Sequence, residues 1–260
     1  MQLAAIASGA LTGLIVGMTG VGGGAIMTPL LILVLGIAPG IAVGTDLVFA
    51  SITKLGAVWV HRSHGSVDWQ IVRRLAVGSI PACAITLVVM HVLSIGQGVD
   101  AFIRPAIGAA IVLTAVAMAL RGLIHAAGKR LRIAAPTNFK VLQPGLTVLA
   151  GAILGVLVTL TSIGAGALGT VMLVYLYPLR LTPVKLVGTD LAHAIPVAVL
   201  AGAGHVAMGN IDIPLLGWLL LGSLPGVWVG TRLSARVPQE MLRRIIAIIL
   251  AIVGLKTLTS

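Results

Sequence analysis

The sequence predicts an all-α membrane protein that crosses the bilayer many times and is built from two inverted repeats. Three observations carry that prediction. Of 260 residues, 58% are hydrophobic and 9% are charged, whereas soluble domains carry about 25% charged residues. Apolar runs of spanning length, such as 103–120, recur along the chain. The two halves also repeat each other at a nearly constant spacing. A β-barrel would show alternation in segments of about ten residues, and the chain has none.

Taken in order, the chain opens on two apolar segments, 3–18 and 25–35, separated by Thr19-Gly20-Val21-Gly22-Gly23-Gly24. Each is shorter than the roughly 20 helical residues that a bilayer requires. They read as a pair of short helices broken by glycine, which permits tight reversals and close approach of backbone to a ligand. Residues 39–59 form a spanning helix that opens on Pro39, a residue suited to the first helical turn. A loop from His61 to Asp68 leads to two further spans, 70–93 and 101–123. The first repeat is thus 1–124, and a basic cytoplasmic linker occupies 125–140. The second repeat, 141–260, offers a broken pair at 142–160 and 164–177, then spans at 183–207, 213–231 and 241–257.

The repeat is explicit. Val43-Gly44-Thr45-Asp46-Leu47 recurs as Val187-Gly188-Thr189-Asp190-Leu191, 144 residues later. At that offset Pro39 pairs with Pro183, His61 with His205, Gly65 with Gly209 and Asp68 with Asp212. Gly78-Ser79-Ile80-Pro81 pairs with Gly222-Ser223-Leu224-Pro225, and the glycine break recurs as Thr161-Ser162-Ile163-Gly164-Ala165-Gly166 at an offset of 142. With an odd number of crossings in each half and the linker in the cytoplasm, 14 of the 17 Lys and Arg fall on cytoplasmic loops. That bias follows the positive-inside rule and inverts the second repeat relative to the first.

The net charge of +11 therefore reads as loop cations that set topology, and no nucleic-acid partner is expected. Cys83 stands alone in an apolar run, so neither a disulfide framework nor a thiolate metal site is available. No basic region precedes the first apolar run, so no cleavable signal peptide is expected. The expected location is a bacterial-type cytoplasmic membrane. No metal and no cofactor are expected, and a homodimer stays open.

Candidate binding groups cluster at the breaks. A half-helix that starts inside the membrane presents free N–H groups, and its N-terminus acts as roughly half a positive charge, which suits an anion. Substrate-binding candidates are Thr19, Gly20, Gly22, Gly23 and Gly24 in the first break, and Thr161, Ser162, Gly164 and Gly166 in the second, with Thr45 and Thr189 close by. Close helix packing through small residues is the alternative reading of these glycines. Asp46 and Asp190 lie about two turns beyond helix-opening prolines, where a carboxylate in hydrocarbon is costly and marks a site. The alternative is that each lies at the membrane interface or binds backbone groups freed at a break. Two carboxylates oppose anion binding unless one is protonated or paired, which makes both candidates for coupling. Lys54 could balance Asp46 or attract substrate; its repeat partner is Ala198. His193 follows Asp190 by one turn and reads either as a titrating group or as a hydrogen-bonded packing residue. Asp68 and Asp212 precede helices and read as N-caps.

In this order and in duplicate, Gly20-Val21-Gly22-Gly23-Gly24, Pro29-Leu30-Leu31, Ala42-Val43-Gly44-Thr45, the His61…Gly65…Val67-Asp68 loop and the Gly-Ser-hydrophobic-Pro element resemble the sulfite exporter TauE/SafE family. The resemblance covers almost the whole chain, and the second break departs from it by lacking a counterpart of Pro29. It implies outward movement of small sulfur-containing anions such as sulfite, sulfoacetate or other organosulfonates. The expected function is therefore secondary transport of such an anion, with a passive anion channel as the alternative. An intramembrane enzyme acting on a lipid phosphate would need an Arg at membrane depth, and every Arg maps to a loop or a helix end.

Overall fold

The computed structural model describes the backbone of residues 2–19, 24–60, 67–94, 99–134, 136–164, 166–234 and 239–259. Every regular element among them is an α-helix, in keeping with the expected class. In chain order these are α1 (Gln2–Thr19), α2 (Gly24–Leu33), α3 (Pro39–Val60), α4 (Trp69–Ser94), α5 (Val99–Ala119) and α6 (Arg121–Ala134). There follow α7 (Pro136–Thr161), α8 (Ala167–Leu176), α9 (Pro183–Ala207), α10 (Ile213–Ser234) and α11 (Gln239–Thr259). Trp69–Val92, Phe139–Thr161, Pro183–Ala207 and Ile213–Gly230 are each long and apolar enough to cross a membrane. Large apolar side chains on their outer faces, including Val77, Val88, Leu149, Leu221 and Trp228, are exposed, an arrangement that suits lipid and not water.

Local signals place the helix starts. Pro183 sits at the start of α9, where the Thr182 hydroxyl accepts the Lys185 N–H at 3.4 Å. The carboxylates of Asp68 and Asp212 accept from the N–H groups of Ile71 (3.3 Å) and Leu215 (2.9 Å), capping α4 and α10 as their sequence positions predict.

Two expectations change in detail. The span drawn to residue 123 ends at Ala119, and α6 departs from α5 at 66°. Residues 125–134 and 136–140 of the linker are consequently helical, in α6 and at the start of α7. A straight continuation would carry Arg121, Lys129, Arg130 and Arg132 into hydrocarbon, at a cost of a few kcal/mol each. The bent helix instead rests Gly128 on the backbone of Tyr175 in α8, and Arg132 lies over the Phe139 ring at 5.8 Å. The broken pairs are also unequal. α1 and α7 have 18 and 26 residues, whereas α2 and α8 have 10 each. Ten residues rise about 15 Å, half the hydrocarbon thickness.

The two halves interlock. α1 packs along α10 and α4 along α7, with glycines that bring backbones into contact. Gly9 and Gly13 of α1 lie on the backbone of Leu219 and Ser223, and Gly151 and Gly155 of α7 lie on that of Leu75 and Ser79. These are the same contacts displaced by the repeat offsets. α3 packs against α9 in the opposite sense. Gly44, near the start of α3, touches the Asn210 carbonyl beyond the end of α9. Across this contact the Asp212 N–H donates to the Thr45 hydroxyl at 3.1 Å, and the Asp68 N–H donates to the Thr189 hydroxyl at 3.0 Å. Each bond of this kind contributes about 1 kcal/mol. Arg180 adds a two-pronged ion pair to Asp68 (2.7 and 3.0 Å), which fastens the turn before α9 to the start of α4.

Candidate functional site

The second glycine break is built by unusual backbone. Ser162, Gly164 and Gly166 all have positive φ, at 56°, 132° and 115°. Two of the three are glycine, the residue that meets this geometry without steric cost; Ser162 is held there against it, and such residues concentrate at functional sites. Thr161 secures the turn, its hydroxyl donating to the Leu157 carbonyl at 2.6 Å and accepting the Ile163 N–H at 3.1 Å. The chain then re-enters a helix at Ala167, with Gly166 as N-cap and no capping side chain of its own.

Asp190 supplies what that N-terminus lacks. Its carboxylate lies beside the Gly166 backbone, and Oδ1 presses so closely on Gly169 in the first turn of α8 that a methyl group there would collide with it. The N–H groups of Gly169 and Thr170 are already taken by the carbonyls of Gly164 (3.0 Å) and Gly166 (3.3 Å). Asp46, its repeat partner, reaches the other short helix: Thr28 of α2 donates to Asp46 Oδ2 at 2.5 Å. Each carboxylate therefore meets the half-helix of its own repeat, Asp46 through the Thr28 side chain and Asp190 through the first turn of α8.

Not all of the carboxylate oxygens are accounted for. Oδ1 of Asp46 and Oδ1 of Asp190 are buried and lack a hydrogen-bond partner among the described residues, as does Ser162 Oγ, which lies beside Asp46 without closing a bond. Lys54 stands within electrostatic reach of both carboxylates and of His193. Exposures of 0% for Asp46, 3% for Asp190, 5% for Lys54 and 1% for His193 exclude bulk water from all four. Charges this deep persist only when paired or hydrogen-bonded. With every group ionised, two carboxylates face one ammonium.

The sequence-predicted residues thus divide. Asp46, Lys54, Asp190, His193, Ser162, Gly164 and Gly166 come together where α3 and α9 meet α2, α8 and the second break. Thr45 and Thr189 accept the cross-repeat bonds described above, and Thr161 serves the turn. Gly24 opens α2, whereas the Thr19 side chain, Gly20, Gly22 and Gly23 lie outside the described residues, as do His61 and His64. His193 Nε2 pairs with Ser79 Oγ of α4 at 2.8 Å, and His205 Nε2 with the Thr159 carbonyl at 3.0 Å. Thr28 and Ser79 escaped the sequence reading. Thr28 carried a usable signal, being the lone hydroxyl inside an apolar run and recurring as Thr170 at the break's own offset of 142. Among the described residues, no three His, Cys, Asp or Glu converge as a metal site would require.

The fold and this buried charged centre are those of a multi-pass membrane transporter. Comparison with known proteins agrees: residues 5–257 match the model of the sulfite exporter TauE/SafE family, and the chain belongs to that family. It is 39% identical to the probable membrane transporter protein YjnA of Bacillus subtilis strain 168, over 98% of this chain and 99% of that one. It is 28% identical to the probable membrane transporter protein YdhB of the same strain, over 94% and 95%. A probable membrane transporter protein of Xylella fastidiosa strain 9a5c is 27% identical over 96% and 92%. No solved structure matches.

Proposed function

We propose that this protein is a secondary transporter that moves small sulfur-containing anions, such as sulfite, sulfoacetate or another organosulfonate, out across the cytoplasmic membrane. The observation that carries the reading is the sealed cluster of Asp46, Lys54 and Asp190 at the second break. A buried cation beside the N-terminus of a half-helix suits an oxyanion, and the family's name supplies sulfur. The antiparallel packing of α3 on α9, with the matching Thr45–Asp212 and Thr189–Asp68 bonds, supports two inverted repeats that rock about the site. Alternating access follows from such an arrangement. Substrate oxygens would meet Ser162, Gly164, Gly166 and Lys54, with the first break contributing from Thr19 to Gly24. Thr45 and Thr189 would tie the site to the segments ahead of α10 and α4. Asp46 or Asp190 would couple the movement by protonation. Cytoplasmic cations, Lys129 and Arg130 of α6 among them, would concentrate anions where an exporter loads them.

A thermal-shift series on the purified protein tests the substrate class. Sulfite or an organosulfonate should raise the unfolding temperature in proportion to the logarithm of its concentration once that exceeds the dissociation constant. If sulfite, sulfoacetate and taurine all leave the unfolding temperature unchanged, the substrate assignment is wrong.

A further inference from the structure

We infer that Asp190 is the resident anion of the transport site, and that a substrate anion binds by displacing its carboxylate from the N-terminus of α8 and from Lys54. This deepens the reading above and rests on it for the location of the site. The argument begins with occupancy. The half-helix N-terminus that suits an external anion already holds one, the Asp190 carboxylate, whose Oδ1 lies against Gly169 in the first turn of α8. Lys54, the cation that would attract substrate, is buried within electrostatic reach of that same carboxylate. Asp190 is held weakly for a buried group. Among the described residues one of its oxygens has no partner, and no side-chain hydroxyl meets the other. Asp46 differs, because Thr28 clamps it. Ser162 Oγ, also buried and unpartnered, is a donor ready for an arriving oxyanion.

Electrostatics then links the anion to a proton. A displaced, ionised Asp190 would leave two negative charges competing for one ammonium in a medium of low dielectric. If Asp190 takes a proton from water as the anion arrives, one negative charge is neutralised while another enters, and the loaded site carries the same net charge as the unloaded one. The groups around Asp190 are Asp46 and Lys54 from α3 and His193 on α9 itself. α4 contributes the Ser79 hydroxyl against His193, and α8 and the break contribute backbone and Ser162. None of them supplies a second cation among the described residues.

The test uses two monoanions whose charge does not change with pH, methanesulfonate and nitrate, and measures their dissociation constants calorimetrically for wild type and Asp190→Asn. At about pH 8 the variant should bind at least one of them about tenfold or more tightly than wild type, because the competing carboxylate is gone. The wild-type affinity should rise as pH is lowered, and the variant's should rise less steeply, because Asp46 alone then remains to take a proton. A gain for nitrate without one for methanesulfonate still supports displacement, and it counts against organosulfonates as substrates. Equal or weaker binding of both anions by Asp190→Asn at about pH 8 overturns the proposal. Should that variant fail to fold, Asp190→Ser makes the same comparison, with the same outcomes expected.

Discussion

Lys54→Met is expected to lower folding stability by about 3 kcal/mol and to abolish anion transport. Lys54 is buried beside two carboxylates, and removing one partner from a buried ionic group leaves the other charges uncompensated, typically at about 3–5 kcal/mol. The two effects separate in a double variant. Lys54→Met combined with Asp190→Asn removes a cation and an anion together, so it should regain most of the stability while transport stays lost. Chemical unfolding followed by tryptophan fluorescence, set beside transport rates in vesicles, measures both. Full transport by a stable Lys54→Met protein would remove Lys54 from the site.

The second large effect belongs to the helix crossings. Gly151→Leu would push a branched side chain into the Leu75 backbone where α7 crosses α4. A backbone neighbour cannot rotate away, so the cost should reach the upper end of overpacking penalties, about 3 kcal/mol. Gly9→Leu, against Leu219 on α10, should behave alike because it makes the repeat-related contact. Gly217→Leu provides the control: nothing lies within 4 Å of a Cβ at that position, and the expected change is small. Thermal stability in one detergent compares all three, and equal stability of Gly151→Leu and Gly217→Leu would contradict the packing described.

Much of this architecture is readable in the chain because the signals are local. Pro39 and Pro183 mark the starts of α3 and α9, Asp68 and Asp212 cap α4 and α10, and the glycine break precedes a short α8. The two aspartates announce themselves by standing in apolar runs. What stayed hidden depends on contacts distant in sequence. Glycine at 9 or 151 shows that something approaches closely, yet not which helix does. The turn between α5 and α6 carries no proline or glycine at Leu120 itself, and it follows instead from where the cations of α6 must go. That Thr28 holds Asp46, 18 residues away, and that Ser79 holds His193, 114 residues away, follows only from the folded arrangement. The asymmetry of the site is the exception. Lys54 opposite Ala198 shows in the sequence, and the structure adds that this cation lies within reach of the other repeat's aspartate as well as its own.

Counterflow in proteoliposomes tests the central claim most directly. Vesicles loaded with unlabelled sulfoacetate or sulfite and diluted into the labelled anion should show transient, saturable accumulation that Lys54→Met abolishes. An ohmic anion current with no counterflow would contradict a carrier and identify a channel.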